Sequence, residues 1–188
     1  MLSEEKPSVC VLGLGYIGLP TAAVIARSGC SVLGVDVTDH VVDTINSGKI
    51  HIEEVDLDGL VQGVVARGTL RASLQVEPSD VFVIAVPTPF GDNNIPDTSY
   101  VMEAATNVAA ALKVGDTLIL ESTSPVGPTE KMRDLIAKLR PDPKVPGLTN
   151  DIPDIALAYC PDRVLAGEVT EPPMQTTRLR GGISALAP

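Results

Sequence analysis

One stretch near the amino terminus decides the fold: Val9-Cys10-Val11-Leu12-Gly13-Leu14-Gly15-Tyr16-Ile17-Gly18. Its apolar half predicts a buried strand, and the helical pattern after it predicts that the glycines join this strand to a helix. Gly13 permits the tight turn, Gly15 lets the backbone approach a pyrophosphate, and Gly18 allows the helix and the strand to pack closely. Because the amino terminus of a helix attracts phosphate, the stretch predicts a dinucleotide site.

An acidic residue ends the next predicted strand, Ser31–Val35. This residue, Asp36, stands 18 positions after Gly18, close to the spacing at which such folds place a carboxylate against the adenosine ribose. A carboxylate accepts hydrogen bonds from the ribose hydroxyls and repels a 2′-phosphate, so the sequence predicts NAD rather than NADP as the cofactor. The alternative is an ordinary glycine-rich turn with a surface aspartate, which the position between a strand and a helix disfavours.

Strand and helix patterns alternate along the rest of the chain. Apolar runs predict the strands, and helical periodicity predicts the helices between them. The predicted strands are 9–12, 31–35, 81–86, 117–120 and 155–158, and the predicted helices are 17–26, 39–46, 57–65, 100–112 and 129–139. This order predicts an α/β fold with a doubly wound parallel sheet, a Rossmann-type dinucleotide-binding domain that takes up residues 1–188 as a single unit.

Two segments interrupt this alternation. Pro141–Pro153 contains four prolines and has weak periodicity, which predicts an exposed loop. Near the carboxyl terminus, Pro172-Pro173 excludes a regular helix, and Arg180 interrupts a possible last strand before Gly181-Gly182. We therefore expect irregular structure in both segments.

Three further segments follow predicted strands, where a sheet of this type places its ligand crevice. They present hydroxyls, a carboxylate and a guanidinium, and Thr129 follows the second of them as a candidate N-cap of a helix. The segments are Val86-Pro87-Thr88-Pro89-Phe90, Glu121-Ser122-Thr123-Ser124-Pro125-Val126-Gly127 and Tyr159-Cys160-Pro161-Asp162-Arg163-Val164-Leu165. Turn chemistry explains each segment alone, but three of them at one edge favour a functional site.

The composition is typical of a globular, cytoplasmic protein. Hydrophobic residues make up 44% and charged residues 20% of the 188 positions, which excludes intrinsic disorder. A net charge of −10 disfavours nucleic acid and anionic membrane surfaces as partners. The chain shows neither a membrane-spanning apolar run nor a signal peptide, and its three cysteines, without a C-x-x-C pair, fit a reducing compartment.

Neither a metal site nor a P-loop is predicted. His40 and His51 lack the cysteine or carboxylate spacing of a zinc site. The acidic stretch 53–58 lacks the glycine of a calcium loop and is interpreted as the solvated start of a helix. Gly48-Lys49 is followed by Ile50 instead of Ser or Thr, so it does not form a phosphate-binding P-loop.

Beyond these motifs, the sequence resembles the UDP-glucose/GDP-mannose dehydrogenase family, most of all the branch that acts on UDP-N-acetyl-D-mannosamine. The resemblance covers most of residues 9–167 and implies NAD-dependent oxidation of the primary alcohol of a UDP-sugar, through the aldehyde level to a carboxylate, with two NAD. The matching strings are Gly13-Leu14-Gly15-Tyr16-Ile17-Gly18-Leu19-Pro20-Thr21-Ala22-Ala23, Asp43-Thr44-Ile45-Asn46 with His51-Ile52, Ala85-Val86-Pro87-Thr88-Pro89-Phe90, Glu121-Ser122-Thr123-Ser124-Pro125-Val126-Gly127 and Ala158-Tyr159-Cys160-Pro161.

The resemblance also implies roles for individual residues. Besides the three glycines, the resemblance implies five further residues in contact with NAD, namely Tyr16, Ile17, Asp36, Thr88 and Thr129. Arg163 and Val164 would contact the sugar nucleotide, and Thr123 would help to hold the catalytic water. Asp162 stands where the family usually has Glu, a carboxylate thought to act as a base or to position water, and is one methylene shorter.

The resemblance also implies that two catalytic residues of the family lie beyond an NAD-binding domain of this size. The nucleophilic cysteine of the family lies in a Gly-Gly-x-Cys-type segment, which Cys10, Cys30 and Cys160 do not match, and its catalytic lysine also lies further on. Without a nucleophile for the covalent route, we expect binding without turnover by this chain alone.

Several alternatives follow from this expectation. The chain would be a truncated enzyme, one half of a split enzyme, or a free-standing NAD-binding module. Its partner would be the other half of the enzyme or, alternatively, a second copy in a homodimer. UDP-glucose and UDP-N-acetylglucosamine are alternative substrates. A 2-hydroxy-acid or 6-phosphogluconate-type dehydrogenase is disfavoured by the strings around Thr88 and Thr123.

Overall fold

The computed structural model of the chain describes residues 6–90, 96–124, 127–148, 152–161 and the backbone of 181–182. Its strands are β1 (Ser8–Leu12), β2 (Ser31–Val35), β3 (Leu70–Ser73), β4 (Val81–Ile84), β5 (Thr117–Leu120), β6 (Ala156–Tyr159) and β7 (Gly181–Gly182). Its helices are α1 (Gly18–Arg27), α2 (Asp39–Asn46), α3 (Leu57–Ala66), α4 (Ser99–Ala109) and α5 (Pro128–Leu139).

The strands form one sheet in the order β3-β2-β1-β4-β5-β6-β7. All neighbours from β3 to β6 are parallel, whereas β7 pairs with β6 in antiparallel orientation. The strand order reverses between β1 and β4, which makes the carboxyl ends of these two strands the expected ligand site. The predicted α/β fold with a doubly wound parallel sheet is confirmed.

Helices cover both faces of this sheet. Because side chains alternate along a strand, Val9 and Val11 pack in one apolar cluster with α1, α2 and α3, and Cys10 and Leu12 pack in the other with α4 and α5. Burial on both sides explains why β1 and β4 are apolar at nearly every position. Each fully buried large side chain, such as Phe82 in the second cluster, contributes about 1.5–3 kcal/mol to folding.

All five predicted helices are present, and their ends differ from the prediction by at most three residues. The sequence does not predict one of the strands, β3. Its four residues show Leu70 and Ala72 buried on either side of the exposed Arg71, an alternation too short to distinguish from a loop. The strand β4 is shorter than predicted, since it ends at Ile84 rather than at Val86, just before Pro87.

The proline-rich segment 141–153 is irregular, as predicted, but its centre is not exposed. Val145 is buried and belongs to the same apolar cluster as Ile136 of α5. Two hydrogen bonds between Lys144 and Asp154 close the segment, one from each backbone N–H. The prediction of an exposed loop is therefore wrong for this part, because prolines exclude regular structure without excluding burial.

The structure also bears on the carboxyl-terminal segment and on membranes. Gly181 and Gly182 form a short strand against Tyr159 and Ala158, so a last strand does exist there. Pro172-Pro173 and Arg180 lie outside the described residues. Among the residues that are described, no helix has the length and apolar character needed to cross a bilayer.

Candidate functional site at the carboxyl edge of the sheet

Two glycines of the connection from β1 to α1 are required by close packing. A Cβ on Gly13, whose φ is +89°, would lie 2.7 Å from the carbonyl oxygen of Ala85. A Cβ on Gly18 would lie only 1.8 Å from the carbonyl oxygen of Gly13. A side chain on Gly13 would push this connection away from the end of β4, and one on Gly18 would displace the Gly13 carbonyl group. Both glycines therefore allow the ends of β1 and β4 to lie close together.

Gly15 has the opposite environment: apart from its own residue and its chain neighbours, no atom of the described residues lies within 4 Å of the position that its Cβ would occupy. The residue lies two positions before Ile17, the N-cap of α1. Ile17 provides no side-chain cap, and the first turn of the helix carries no acidic residue. The N–H groups of such a terminus attract an anion. The open side of Gly15 therefore fits a pyrophosphate, while Tyr16 is half-exposed beside it and Ile17 packs partly into the core.

Asp36 follows β2, and backbone groups orient its carboxylate. The Leu14 N–H of the glycine connection donates to Oδ2 at 3.1 Å, and the Thr38 N–H donates to Oδ1 at 3.1 Å. Each oxygen keeps capacity for a further hydrogen bond. The carboxylate is thus held beside the glycine connection and can accept the two hydroxyls of a ribose.

Hydrogen bonds join the ends of β4 and β5. The Thr88 hydroxyl donates to the carbonyl oxygen of Thr123 at 2.6 Å, and the Ser122 hydroxyl donates to that of Val86 at 2.7 Å. Thr88 was predicted as an NAD contact, and the structure adds a second partner for it. Since a hydroxyl has one proton, Thr88 in this arrangement can only accept a hydrogen bond from a ligand.

The end of β6 is joined to the same place. The Tyr159 hydroxyl accepts a hydrogen bond from the Ser124 N–H at 3.1 Å and donates one to the Ser124 carbonyl oxygen at 3.0 Å. Two of the three predicted segments thus meet the third through hydrogen bonds, so their described parts do converge on one edge. The role of the Tyr159 hydroxyl was not predicted, because its partner lies 35 positions away in the sequence.

Glu121 is a second residue that the sequence analysis did not single out. Its carboxylate is 3% exposed, and Thr21 of α1 donates a hydrogen bond to its Oε1 at 3.2 Å. A buried carboxylate is costly unless it is hydrogen-bonded. The contact links the helix that follows the glycine connection to the end of β5.

Thr129 does not cap α5, contrary to the prediction. The N-cap is Gly127, with a φ of +111°, and Pro128 is the first helical residue, a position that suits its fixed φ and its missing N–H. Thr129 is therefore in the first turn, where it is 8% exposed. Thr123, by contrast, is exposed on the connection before α5.

The remaining predicted site residues, Asp162, Arg163 and Val164, lie outside the described part of the chain. Within that part, no three His, Cys, Asp or Glu side chains are grouped so that they could hold a metal ion. All three cysteines are free thiols. Cys10 is fully buried in β1, and this burial raises its pKa from 9.0 to about 12, so the thiol stays protonated and unreactive.

The comparisons with known proteins agree with this geometry. Residues 7–185 match the UDP-glucose/GDP-mannose dehydrogenase family, NAD binding domain. Over 94% of its length the chain is 51% identical to the NDP-N-acetyl-D-galactosaminuronic acid dehydrogenase of Ralstonia nicotianae and 49% identical to the UDP-N-acetyl-D-mannosamine dehydrogenase of Escherichia coli. It spans 42% of the length of each of these relatives.

Solved structures give the same result. The UDP-D-MAnNAc dehydrogenase of Pyrococcus horikoshii superimposes with a TM-score of 0.86 at 37% identity, over 95% of this chain and 42% of that one. The UDP-N-acetyl-mannosamine dehydrogenase Cap5O of Staphylococcus aureus superimposes with a TM-score of 0.83 at 40% identity, over 93% and 41% of the two chains. On its sequence match, its sheet and its glycine connection, the chain belongs to the UDP-glucose/GDP-mannose dehydrogenase family and carries that family's NAD-binding domain.

Proposed function

We propose that residues 1–188 form a single domain that holds NAD at the carboxyl edge of the sheet, and that the protein oxidises the primary alcohol of a UDP-sugar to a carboxylate. The hydrogen bond from Leu14 to Asp36 carries the cofactor part of this proposal. It places a ribose-binding carboxylate against a glycine connection whose open side, at Gly15, leaves space for the pyrophosphate.

In this proposal the residues divide by position along the edge. Gly15, with Tyr16 and Ile17, faces the pyrophosphate, and Gly13 and Gly18 give the connection the shape that admits it. Asp36 accepts hydrogen bonds from the ribose hydroxyls. Thr88 and Thr129 contact the nicotinamide half of the cofactor from the ends of β4 and α5. Arg163 and Val164 contact the sugar nucleotide.

Bound NAD would supply a hydride acceptor, and two hydride transfers with one added water convert an alcohol into a carboxylate with release of three protons. The water needs a group that positions it. The exposed Thr123 hydroxyl lies on the connection from β5, where Thr88 and Tyr159 hold the backbone. We propose that Thr123 holds this water, and that Asp162 provides the second contact or the base.

The degree of similarity favours an N-acetylated UDP-hexosamine as the substrate. Identity is 49% to the UDP-N-acetyl-D-mannosamine dehydrogenases of Escherichia coli and Campylobacter jejuni. Among superimposed structures, identity is 40% to the UDP-N-acetyl-mannosamine dehydrogenase Cap5O of Staphylococcus aureus and 26% to a UDP-glucose dehydrogenase from Pyrobaculum islandicum. The 51% identical relative of Ralstonia nicotianae is named for N-acetyl-D-galactosaminuronic acid, so the identities support the N-acetylated class as a whole. Within this class we choose UDP-N-acetyl-D-mannosamine as the first substrate to test, and the product would be a uronate of the kind used in polysaccharide biosynthesis.

The other parts of the proposal concern the environment of the protein. Three free thiols support a reducing compartment, the cytoplasm. Association with a chain that carries the remainder of the relatives' length would complete the enzyme, and a homodimer is the alternative assembly. Among the described residues, Cys160 is the one thiol at the carboxyl edge, and it does not lie in a Gly-Gly-x-Cys-type segment. We therefore expect this chain alone to bind the cofactor without covalent catalysis.

The test is NADH formation from UDP-N-acetyl-D-mannosamine and NAD, by this chain alone and by a chimaera in which it replaces the matching part of the Escherichia coli relative. We expect activity from the chimaera only, and its loss in the same chimaera with Thr123→Val. A folded, NAD-binding chimaera that oxidised UDP-glucose but not UDP-N-acetyl-D-mannosamine would overturn the substrate assignment. Turnover by the chain alone would contradict the missing-nucleophile argument, and Cys160→Ser would then show whether that thiol reacts.

A further inference from the structure

We infer that Tyr159 is a positioning residue of the cofactor site, because its hydroxyl and that of Thr88 clamp the two ends of one peptide group, between Thr123 and Ser124. The inference rests on the proposed function only in that this edge holds NAD. It concerns residues on three different strand ends: Thr88 after β4, Thr123 after β5, and Tyr159 at the end of β6.

The base of the Tyr159 side chain is fixed by the sheet. Tyr159 pairs in register with Leu120 of β5, and the next residue, Cys160, donates its N–H to the Leu120 carbonyl oxygen at 2.9 Å. From this anchored position the phenol reaches Ser124, four residues further along the neighbouring chain segment. It bonds to both backbone polar groups of Ser124, at 3.1 Å and 3.0 Å.

The Ser124 N–H belongs to the same planar unit as the Thr123 carbonyl. Tyr159 accepts from the N–H end of this unit, and Thr88 donates to its carbonyl end at 2.6 Å. The described chain contains no cis peptide bond, so the two ends point in opposite directions and the two hydroxyls hold the unit from opposite sides. Rotation of the unit would break both hydrogen bonds together.

The Ser124 side chain does not replace this clamp. Its Oγ is buried and has no hydrogen-bond partner among the described residues. With both its backbone groups taken by Tyr159, Ser124 is held through the phenol. Loss of the phenol hydroxyl would therefore free the peptide group, withdraw the acceptor from Thr88, and move two residues proposed to contact the cofactor and the water.

Tyr159→Phe removes this one hydroxyl and keeps the ring, and Thr88→Val removes the hydroxyl at the other end. Tyr100→Phe is the matched control, because Tyr100 is a half-exposed tyrosine of α4 whose hydroxyl makes no hydrogen bond to another described residue. The measurements are NAD affinity by calorimetry and hydrogen exchange of the Ser124 amide by NMR in the same 188-residue chain. A double variant, Thr88→Val with Tyr159→Phe, completes a cycle.

We expect Tyr159→Phe to speed Ser124 amide exchange and to weaken NAD binding about threefold to tenfold, the size of one lost hydrogen bond. The double variant should bind NAD no more weakly than the poorer single variant, because either change already breaks the clamp. Tyr100→Phe should match the unsubstituted chain. A purely structural role would give independent, additive losses, and that result would overturn the inference, as would unchanged NAD affinity or unchanged Ser124 exchange in Tyr159→Phe. Failure of the unsubstituted chain to bind NAD would instead overturn the proposed function, while Ser124 exchange would still report on the clamp.

Discussion

At the scale of single residues, two glycines three positions apart have opposite surroundings. The position of a Cβ on Gly18 is filled by the Gly13 carbonyl oxygen, whereas that of a Cβ on Gly15 is empty. Gly15 also has a φ outside the positive region, so an alanine fits its backbone. Packing explains the glycine at position 18, and a bound ligand is our proposed explanation for the one at position 15.

A pair of alanine substitutions separates these two roles. Gly15→Ala should fold with a stability equal to or slightly above that of the unsubstituted chain. Ala reduces the conformational entropy of the unfolded state, which raises the free energy of unfolding by about 0.4–1 kcal/mol. It should weaken NAD binding by about tenfold or more, since the methyl group occupies the pyrophosphate space. Urea unfolding and calorimetry measure both quantities. Gly18→Ala is the contrast and should lose stability outright, and a stable Gly18→Ala protein would contradict the packing.

Cys10 gives a residue-scale prediction about pH. Burial raises the pKa of its thiol from 9.0 to about 12, so the folded state keeps the proton at pH values where the unfolded state loses it. The stabilisation from this thiol is complete below pH 9.0 and is lost as the pH rises from there toward about 12. Cys10→Ala should therefore unfold with a weaker dependence on pH above 9 than the unsubstituted chain, as followed by urea titrations at several pH values.

The reactivity of the same residue provides a control. Native chain at neutral pH should react with a thiol reagent at the partly exposed Cys30 and Cys160, and at Cys10 only after unfolding. Mass spectrometry of the labelled peptides distinguishes the three. Rapid labelling of native Cys10 would show that the first strand is not buried as described.

At the scale of elements, different residues at the amino terminus of α5 are expected to serve folding and ligand binding. Gly127 and Pro128 start the helix, and the Thr129 hydroxyl makes no capping hydrogen bond. Thr129 is nonetheless buried in the first turn, close to the connection that carries Thr123. A polar residue kept there without a capping role is consistent with a ligand contact.

Thr129→Val should therefore leave the helix content and the thermal midpoint nearly unchanged. NAD affinity should fall by a factor of a few to about ten, because one hydroxyl hydrogen bond to a ligand contributes about 0.5–1.5 kcal/mol. Circular dichroism and calorimetry on the same samples separate the two effects. A large drop in the thermal midpoint with unchanged affinity would mean that Thr129 stabilises α5 and does not contact NAD.

The elements themselves were largely predictable from sequence. Strands buried on both faces, such as β1 and β4, are continuous apolar runs. The connection between β1 and α1 is visible because close packing requires glycine at positions 13 and 18. The prediction missed β3, since a four-residue strand carries too little pattern. It also misjudged the burial of Val145, because the loop's neighbours in space cannot be seen in its own sequence.

At the scale of the whole molecule, the parallel sheet brings every described site residue to one edge. The glycine connection, Asp36, Thr88 and Thr123 each follow a different strand, and this gathering is a consequence of parallel order that the sequence pattern predicts. The bonds that fix the side chains are not predictable in this way. Thr88 meets Thr123 across 35 positions, and Thr21 meets Glu121 across 100.

The net charge of −10 makes the cofactor choice a local matter. A chain this acidic repels anions at long range, so the attraction for a dinucleotide has to come from local contacts. We propose that these are the N–H groups at the start of α1 and the carboxylate of Asp36, which accepts hydrogen bonds from the ribose hydroxyls. The same carboxylate would face the 2′-phosphate of NADP. We therefore expect discrimination between the two dinucleotides to rest on one side chain, that of Asp36.

Calorimetric titration of the chain with NAD and with NADP tests this account most directly, on the unsubstituted chain and on Asp36→Asn. Asp58→Asn, an exposed acid in the first turn of α3, is the matched control. We expect the unsubstituted chain to bind NAD more tightly than NADP. In Asp36→Asn the ratio of the two affinities should fall about tenfold, or about 1.4 kcal/mol, and in the control it should stay unchanged. Equal affinities of the unsubstituted chain for the two dinucleotides would contradict the account.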